Sequence, residues 1–222
     1  MTVRRETIER EVDIPLDAAT HRGDLGLPPG AGGLVIFAHG SGSSRLSSRN
    51  RFVAEALRRA GLGTLLFDLL TETEDRDYER RFDIDLLTHR LLAATAWARH
   101  QPELKELMYG YFGASTGAAA ALKAAAELGD TIDAVVSRGG RPDLAIESLA
   151  RVTAPTLLIV GSRDEDVIEL NRKAYARLTG VAELEIVPGA THLFEEPGTL
   201  EEVARLASGW FRRYLRIPAP VT

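Results

Sequence analysis

Short apolar runs that alternate with helical stretches constrain the fold of this chain more than any other feature of its sequence. The runs lie at residues 34–38, 63–67, 108–112, 132–137 and 156–160. A run of this length is typical of a strand that is buried on both faces, as in a parallel sheet. Between them, helical periodicity or alanine enrichment predicts helices at about 50–60, 83–100, 118–127, 142–151 and 166–179. This alternation predicts an α/β fold, a three-layer α/β/α sandwich around a mostly parallel sheet.

The two ends of the pattern add strands of a different kind. Residues 6–16 alternate between apolar and charged side chains, which predicts a half-exposed strand paired antiparallel with a second one at about 19–25. Residues 183–187 also alternate and predict an edge strand. The twisted sheet should therefore hold about seven or eight strands.

Local signals make more detailed predictions about the helices. Ser47 or Ser48 is expected to cap the helix at 50–60, whose inward face should include Phe52. Asp166 stands where the N-cap of the next-to-last helix is expected, and Thr199 with Glu202 forms the pattern of a capping box for the last helix.

Composition narrows the class of protein. The chain has 222 residues, of which 45% are hydrophobic, and a net charge of −5 with acidic and basic residues interspersed. This predicts a single domain without a nucleic-acid-binding face. No apolar run approaches the roughly 20 residues of a membrane span, and residues 1–6 do not look like a secretory signal. The chain has no cysteine, which excludes disulfides and thiolate metal sites. We expect a cytoplasmic protein.

The pentapeptide Gly-Ala-Ser-Thr-Gly at 113–117 lies between the strand at 108–112 and the alanine-rich helix. A G-x-S-x-G sequence in this setting is typical of a nucleophile elbow, a sharp turn that exposes a serine hydroxyl above the sheet. The two glycines allow neighbouring backbone to pass close to the serine. The pattern predicts that Ser115 performs chemistry.

Other reactive side chains follow later strands. Asp164 comes after the strand at 156–160, His192 follows the edge strand, and His39 with Gly40 follows the first buried strand. The carboxyl ends of parallel strands meet at one edge of a sheet, where active sites of this architecture lie. The chain order is therefore serine, acid, histidine.

With these motifs, the sequence resembles the α/β-hydrolase family over essentially its whole length, and most of all its small dienelactone hydrolase-like branch, which has no cap domain. Enzymes named for that activity use a cysteine nucleophile, so the likeness is one of architecture. The resemblance implies a triad of Ser115 as nucleophile, His192 as general base and Asp164 as its partner. The backbone N–H groups of Ser41 and Thr116 would form the oxyanion hole. No metal or cofactor is implied.

Alternatives remain for the acid and for the histidine. Glu165 and Asp166 are neighbours of Asp164, and Asp68 follows the strand before the elbow strand. Each could replace Asp164 as the histidine's partner. His39 lies near the site too, where it could contact substrate, although its place in the oxyanion loop favours a structural hydrogen bond.

Three arginines could bind an acidic group of the substrate. Arg45 belongs to a loop rich in hydroxyls and cations at 41–51, and Arg138 and Arg141 follow the strand at 132–137. We favour the plainer interpretation, in which these arginines are solvated. The charged stretch at 72–81 is interpreted as a solvated loop, long enough to cover part of the site as a flap.

The sequence therefore predicts a serine hydrolase of small or short-chain carboxylic esters. Only a few residues separate the strand at 132–137 from the next helix, so no cap is inserted and the pocket should be shallow and open. Hydrolysis of a thioester or amide by the same triad stays open, as does a catalytically idle domain used for binding. A small ester is the expected partner, and homodimer formation stays open.

Overall fold

The sheet seen in a computed structural model, which describes residues 7–215, has eight strands in the order β1-β2-β4-β3-β5-β6-β7-β8. The strands are β1 (Ile8–Leu16), β2 (Ala19–Leu27), β3 (Gly33–Ala38), β4 (Gly63–Phe67), β5 (Met108–Ala114), β6 (Ala134–Arg138), β7 (Thr156–Gly161) and β8 (Ala182–Val187). β1 pairs antiparallel with β2, and β2 antiparallel with β4, whereas the remaining pairs are parallel. The prediction of a mostly parallel sheet with an N-terminal antiparallel pair is confirmed. The sequence of residues 1–6 was interpreted as unlike a secretory signal, and these residues lie outside the described range.

Helices cover both faces of this sheet. They are α1 (Ser48–Arg59), α2 (Glu72–Asp75), α3 (Ile84–Arg99), α4 (Thr116–Leu128), α5 (Glu165–Tyr175) and α6 (Thr199–Tyr214). Alternate residues of β3 enter two separate apolar clusters. Leu34 and Ile36 pack on the side of α3 and α4, whereas Val35 and Phe37 pack on the side of α1 and α6. Burial on both faces explains the continuous apolar runs and confirms the three-layer sandwich.

The structure corrects the prediction of a helix at 142–151. The segment forms two short 3₁₀ turns, Pro142–Ala145 and Leu149–Arg151. Its backbone bonds join residues three apart, as in the N–H of Ser148 donating to Ala145 O at 2.9 Å. Apolar periodicity over ten residues does not distinguish one α-helix from successive tight turns. No cap is inserted in the described chain between β6 and β7.

Two further details of the helices differ from prediction. Phe52 in α1 is 42% exposed rather than inward, because Val53 and Leu57 fill the buried face. The capping box at α6 is absent: Gly198 holds the N-cap position, and the hydroxyl of Thr199 donates to Glu196 O. Glu202 instead binds Arg205 through both carboxylate oxygens.

Two local predictions fare differently. Ser47 is the N-cap of α1, as expected, and its hydroxyl accepts the N–H of Asn50. The stretch at 72–81 is more ordered than a solvated loop, since it contains α2 and the start of a 3₁₀ turn at Arg80–Phe82. Among the helices of the described residues, none combines the length and apolar character needed to cross a lipid bilayer.

Candidate active site

Ser115 occupies the turn between β5 and α4 with φ 51° and ψ −120°. Positive φ in a residue other than glycine is strained, at a cost of roughly 1–3 kcal/mol. Gly117 is required here, because a Cβ at this position would lie 2.1 Å from Ala38 O. Gly113 is equally confined, since its Cβ would lie 2.4 Å from the Cα of Ala118. Close packing of backbone on both sides of Ser115 therefore holds the sharp turn.

The segment 138–141, which begins at the last residue of β6, clamps this turn by two backbone hydrogen bonds. The N–H of Ser115 donates to Arg138 O at 3.2 Å, and the N–H of Arg141 donates to Ser115 O at 3.1 Å. Both groups of the strained residue are thus bonded. The clamp was not predicted from the sequence, although the pair Gly139-Gly140 at the end of a strand is a signal for close backbone approach.

His192 and Asp164 form the closest polar pair of the site. The Nδ1 of His192 lies 2.6 Å from Asp164 Oδ2. Since a carboxylate can only accept, Nδ1 carries the proton, and Nε2 is left as the basic nitrogen. The Asp164 side chain is 14% exposed and that of His192 is 37% exposed. The imidazole therefore reaches the surface while its carboxylate partner is largely covered.

The position of Asp164 differs from expectation in one respect. Asp164 itself, and not Asp166, holds the N-cap position of α5, and its side chain makes no capping bond. Asp166 lies within the first turn of the helix and is exposed, as is Glu165. Of these three neighbouring carboxylates, Asp164 is the one that reaches His192.

The loops that carry Asp164 and His192 are joined directly to each other. A Cβ at Gly161 would lie 2.3 Å from Ala190 O, so the two loops touch at backbone level. The N–H of Arg163 donates to the same Ala190 O at 2.9 Å. The N–H of Gly189 donates to Ser162 Oγ at 2.8 Å. These contacts fix the distance between the carboxylate and the imidazole.

Gly139 connects the histidine to the elbow. It has φ 52°, and a Cβ built on it would lie 3.1 Å from His192 O and 3.5 Å from the ring atom Cε1. Arg138 and Arg141 bond the backbone of Ser115, and Gly139 between them packs on His192. Residues 138–141 therefore contact both Ser115 and His192. The structure therefore brings the three triad residues predicted from the sequence to one edge of the sheet.

The two predicted oxyanion donors lie close to Ser115. Thr116 is the first residue of α4, where an N–H has no partner within the helix. Gly40 lies against the nucleophile, since its Cβ would be 3.1 Å from Ser115 Cβ. The N–H of Ser41 donates to Thr116 Oγ1 at 2.9 Å. To bind a substrate oxygen, the Ser41 N–H would have to give up its hydrogen bond to Thr116 Oγ1 and donate to the substrate instead.

His39 is buried and uses both ring nitrogens within the protein. Its Nε2 accepts the N–H of Leu69 at 3.0 Å, so Nδ1 carries the proton and donates to Gly40 O at 3.0 Å. Burial lowers the pKa of His39 below its ordinary value, which keeps the ring neutral. The arrangement favours a structural hydrogen bond over contact with substrate.

Asp68 and Arg45 bind each other rather than the triad. The backbone N–H of Arg45 donates to Asp68 Oδ1 at 2.7 Å, and its Nε lies 3.4 Å from Oδ2. The Arg45 side chain, 10% exposed, also faces the carboxylates of Asp24 at 3.9 Å and Glu11 at 3.7 Å. Three carboxylates already compensate the charge of Arg45, and Asp68 is not the partner of His192.

The other two arginines differ sharply in their surroundings. Arg141 forms a bidentate ion pair with Asp143, from Nε to Oδ1 at 2.9 Å and from Nη2 to Oδ2 at 2.8 Å, so its charge is compensated. Arg138 is 6% exposed and makes one hydrogen bond to a side chain, from Nη2 to Asn50 Oδ1 at 3.3 Å. Its guanidinium carbon lies 5.8 Å from the centre of the Phe194 ring.

The charged stretch at 72–81, interpreted from the sequence as a solvated loop long enough to form a flap, lies against the oxyanion loop. The Nη1 of Arg81 lies 3.6 Å from where a Cβ on Gly42 would be. Glu74 in α2 anchors the stretch, because it completes a capping box with Thr71 and accepts from Arg90 at 2.8 Å. Next to this loop is a cavity of about 630 Å³, lined by residues that include His39, Ser43, Ser44, Arg45, Asp68 and Glu72. Within residues 7–215, no cluster of three or more His, Asp or Glu side chains is arranged to hold a metal ion.

Comparison with known proteins places this site in a family context. The model of the Dienelactone hydrolase family matches residues 36–215. The crystal structure of dienelactone hydrolase from Anabaena variabilis is similar at 55% identity and a TM-score of 0.92, over 96% of this chain and 100% of that one. Est1E from Butyrivibrio proteoclasticus, at 18% identity and a TM-score of 0.79, shares the fold over 91% of this chain and 98% of its own. The esterase Pf2001 from Pyrococcus furiosus does so at 20% identity and a TM-score of 0.74, over 94% and 92%.

Two curated proteins of Mycobacterium tuberculosis, from strains CDC 1551 and H37Rv, are 57% identical to this chain over 212 residues. Both carry the name "Putative phosphoribosyl transferase". The alignment covers 96% of this chain and 48% of each relative. The chain thus spans about half the length of the curated relatives it matches.

Proposed function

This chain belongs to the dienelactone hydrolase family, and on that premise we propose that it is a serine hydrolase acting on small or short-chain carboxylic esters. The observation that carries the proposal is the pair of His192 Nδ1 and Asp164 Oδ2 at 2.6 Å, on the sheet edge where the strained Ser115 stands. A tautomer with Nδ1 protonated leaves Nε2 to take the hydroxyl proton of Ser115.

The reaction would proceed in two steps. Ser115 Oγ attacks the ester carbonyl while His192 accepts its proton, and the protonated imidazole then gives that proton to the leaving alcohol. Asp164 stabilises the imidazolium throughout. Water, activated by the same histidine, hydrolyses the acyl-serine. The N–H groups of Thr116 and Ser41 are the proposed donors to the oxyanion, and one such donor contributes roughly 3–4 kcal/mol.

The size class of the substrate rests on what covers the site. The described chain has only 3₁₀ turns between β6 and β7, where a cap would enclose a long acyl chain. The name of the curated relatives applies to proteins about twice as long as the aligned part. We therefore do not extend the transferase activity to this chain.

A fluorophosphonate probe tests the proposal directly. We expect it to label the wild type at Ser115 and not to label Ser115→Ala, because the probe reacts only with an activated serine. Ser208→Ala, a substitution within α6, is the matched control and should be labelled like the wild type. Absence of labelling in folded wild type would contradict a serine hydrolase.

Substrate class follows from p-nitrophenyl esters of increasing chain length, compared with thioester and amide analogues of the same acyl groups. We expect kcat/KM to be highest for short acyl chains and for oxygen esters. Preference for a thioester or an amide would keep the triad and change the class of bond cleaved.

A further inference from the structure

Asn171 places a buried amide on the inner face of α5, where the helix otherwise presents apolar side chains. The buried residues of this helix are Val167, Asn171 and Ala174, and their helical spacing puts them on one stripe. The Asn171 side chain is 0% exposed. Asparagine is a weaker helix former than leucine, and burying its amide costs free energy unless hydrogen bonds replace the lost water. Packing of α5 alone therefore does not account for an amide at this position.

The nitrogen of this amide bonds two backbone carbonyls. Asn171 Nδ2 donates to Val167 O at 2.8 Å and to Gly140 O at 3.0 Å. Carbonyl oxygens can only accept, so these two partners fix which end of the amide is the nitrogen. The bond to Val167 O stays within α5, one turn earlier, whereas the bond to Gly140 O joins residues 31 positions apart. The side chain therefore connects α5 to the segment 138–141.

The oxygen of the same amide is not compensated. Asn171 Oδ1 is buried and has no hydrogen-bond partner among residues 7–215. An unpaired buried acceptor destabilises a folded protein, and a leucine of similar volume would avoid that loss. A buried polar group that is only partly bonded calls for an explanation in the contacts it does make. For Asn171, the contact outside its own helix is the bond to Gly140 O.

Gly140 lies within the segment that clamps the elbow. The residue before it donates its N–H to Ile159 O in β7 at 2.8 Å, and the residue after it donates to Ser115 O at 3.1 Å. In the chain, the carbonyl of Gly140 is thus flanked by a bond to the sheet and a bond to the backbone of the nucleophile. Because Gly139 also packs on His192, a displaced Gly140 carbonyl would change the position of the serine relative to the imidazole.

We propose that Asn171 is a positioning residue: by holding Gly140 O it fixes the segment 138–141 and so aligns the nucleophile with the histidine. Asn171 is fully buried and would not contact the substrate. α5 begins directly after Asp164, and Asn171 lies about two turns further along it, a distance of about 10 Å. One helix therefore supports both the partner of the histidine and the segment that clamps the elbow. This role deepens the proposed hydrolase function and rests on it.

Removing the hydrogen bond to Gly140 O should lower turnover without weakening substrate binding. Asn171→Leu fills a similar volume and cannot donate. It should lower kcat for a short-chain p-nitrophenyl ester by about 10- to 100-fold and change KM little, because the reacting groups are misaligned. Ala174→Gly, on the same buried stripe of α5, is the matched control. It should lower the free energy of unfolding and keep the wild-type kcat.

An isosteric acid gives a readout that a merely structural role would not move. The ionised side chain of Asn171→Asp can only accept and so cannot bond Gly140 O, whereas its protonated form can donate. The ratio of its kcat to that of the wild type should therefore rise as the pH falls from about 9 to about 6. The same ratio for Asn171→Leu should stay constant. Asn171→Asp keeps the shape of the amide, so the test stays valid if Asn171→Leu fails to fold.

Hydrogen exchange of individual amides, followed by NMR, measures the same link without a substrate. The N–H groups of Ser115 and Arg141 form the clamp. In Asn171→Leu they should exchange about tenfold faster than in the wild type, because the segment that they bond is no longer held from α5. Unchanged kcat in folded Asn171→Leu, or a lower kcat with unchanged exchange at these two amides, would overturn the positioning role.

The two readouts separate failure of this role from failure of the hydrolase. If fluorophosphonate does not label the wild type but exchange accelerates in Asn171→Leu, the hydrolase proposal fails and the link from Asn171 to the segment 138–141 stands. If labelling succeeds and neither kcat nor exchange changes, the positioning role alone is wrong.

Discussion

Asp164 holds the N-cap position of α5 without capping it, because its carboxylate is turned to His192 at 2.6 Å. An aspartate in this position would ordinarily accept a first-turn N–H. The helix loses a capping bond, typically about 1 kcal/mol, and the imidazole gains an acceptor that fixes its tautomer. At the residue scale, the geometry of the site thus takes precedence over the stability of the helix.

Replacing this carboxylate with an amide tests the assignment of the acid. Asp164→Asn should lower kcat for a short-chain p-nitrophenyl ester by about 10³- to 10⁴-fold, because the amide no longer imposes the tautomer that leaves Nε2 basic. Asp166→Asn, in the same turn and exposed, is the control and should retain kcat. Near-full activity of Asp164→Asn would transfer the role to a neighbouring carboxylate, which the same assay on Glu165→Gln and Asp68→Asn would identify.

At the scale of elements, the segment 138–141 at the end of β6 organises the site by contacting both the elbow and the histidine. Its two hydrogen bonds to the Ser115 backbone hold the strained turn, and Gly139 packs on the His192 ring. These contacts explain why two consecutive glycines follow the strand. A Cβ on Gly140 would lie 2.0 Å from Ser137 Oγ, so that position has no room for a side chain, whereas one on Gly139 would make a tight contact of 3.1 Å with His192 O.

Gly139→Ala should impair catalysis more than stability. Its positive φ makes alanine cost about 1–2 kcal/mol, and the methyl group would press on His192, whose displacement should lower kcat by about 10- to 100-fold. Gly129→Ala is a matched control, since φ is 53° there and no atom lies within 4 Å of the new Cβ. Chemical denaturation and ester kinetics on both variants measure the two effects. Equal kcat for the two would show that the loop does not position the histidine.

The sequence was sufficient to predict elements whose signal is local. Strands buried on both faces appear as continuous apolar runs, and Ser115, Asp164 and His192 each follow such a strand or the edge strand. The clamp at 138–141 was not predictable in this way, because its hydrogen bonds join backbone groups that are distant in the chain. The 3₁₀ turns at 142–151 and the missing capping box at Thr199 were mispredicted for a related reason. Local patterns there match several conformations, and tertiary packing selects one.

At the scale of the whole molecule, the central sheet is apolar on both sides, and few polar groups interrupt it. His39 is one of them, buried at the carboxyl end of β3 with a pKa held below its ordinary value. The folded protein therefore keeps this ring neutral at a pH where the unfolded chain binds a proton. Because the unfolded state then binds more protons, acidification below about pH 6.5 favours unfolding.

This linkage predicts a pH-dependent stability. The free energy of unfolding, measured by denaturant titration, should fall between pH 7 and pH 5, with His39 contributing up to about 1.4 kcal/mol per pH unit. His39→Gln should reduce that slope, whatever its effect on stability at pH 7, because glutamine does not titrate. His100→Gln, at the exposed end of α3, serves as control. An unchanged slope in His39→Gln would show that the ring is not kept neutral by burial.

The sheet ends at strands that carry several acidic side chains. β8, at one border, carries Glu183 and Glu185, and β1, at the other, carries Glu9, Glu11 and Asp13. A second copy adding its β8 antiparallel about Leu184 would place Glu183 of one copy opposite Glu185 of the other. Like charges at the β8 border therefore oppose growth of the sheet from chain to chain, and Arg213, at 3.3 Å from Glu183, offsets part of this repulsion. The protein should stay dispersed at high concentration, most of all at low ionic strength, where this repulsion is least screened.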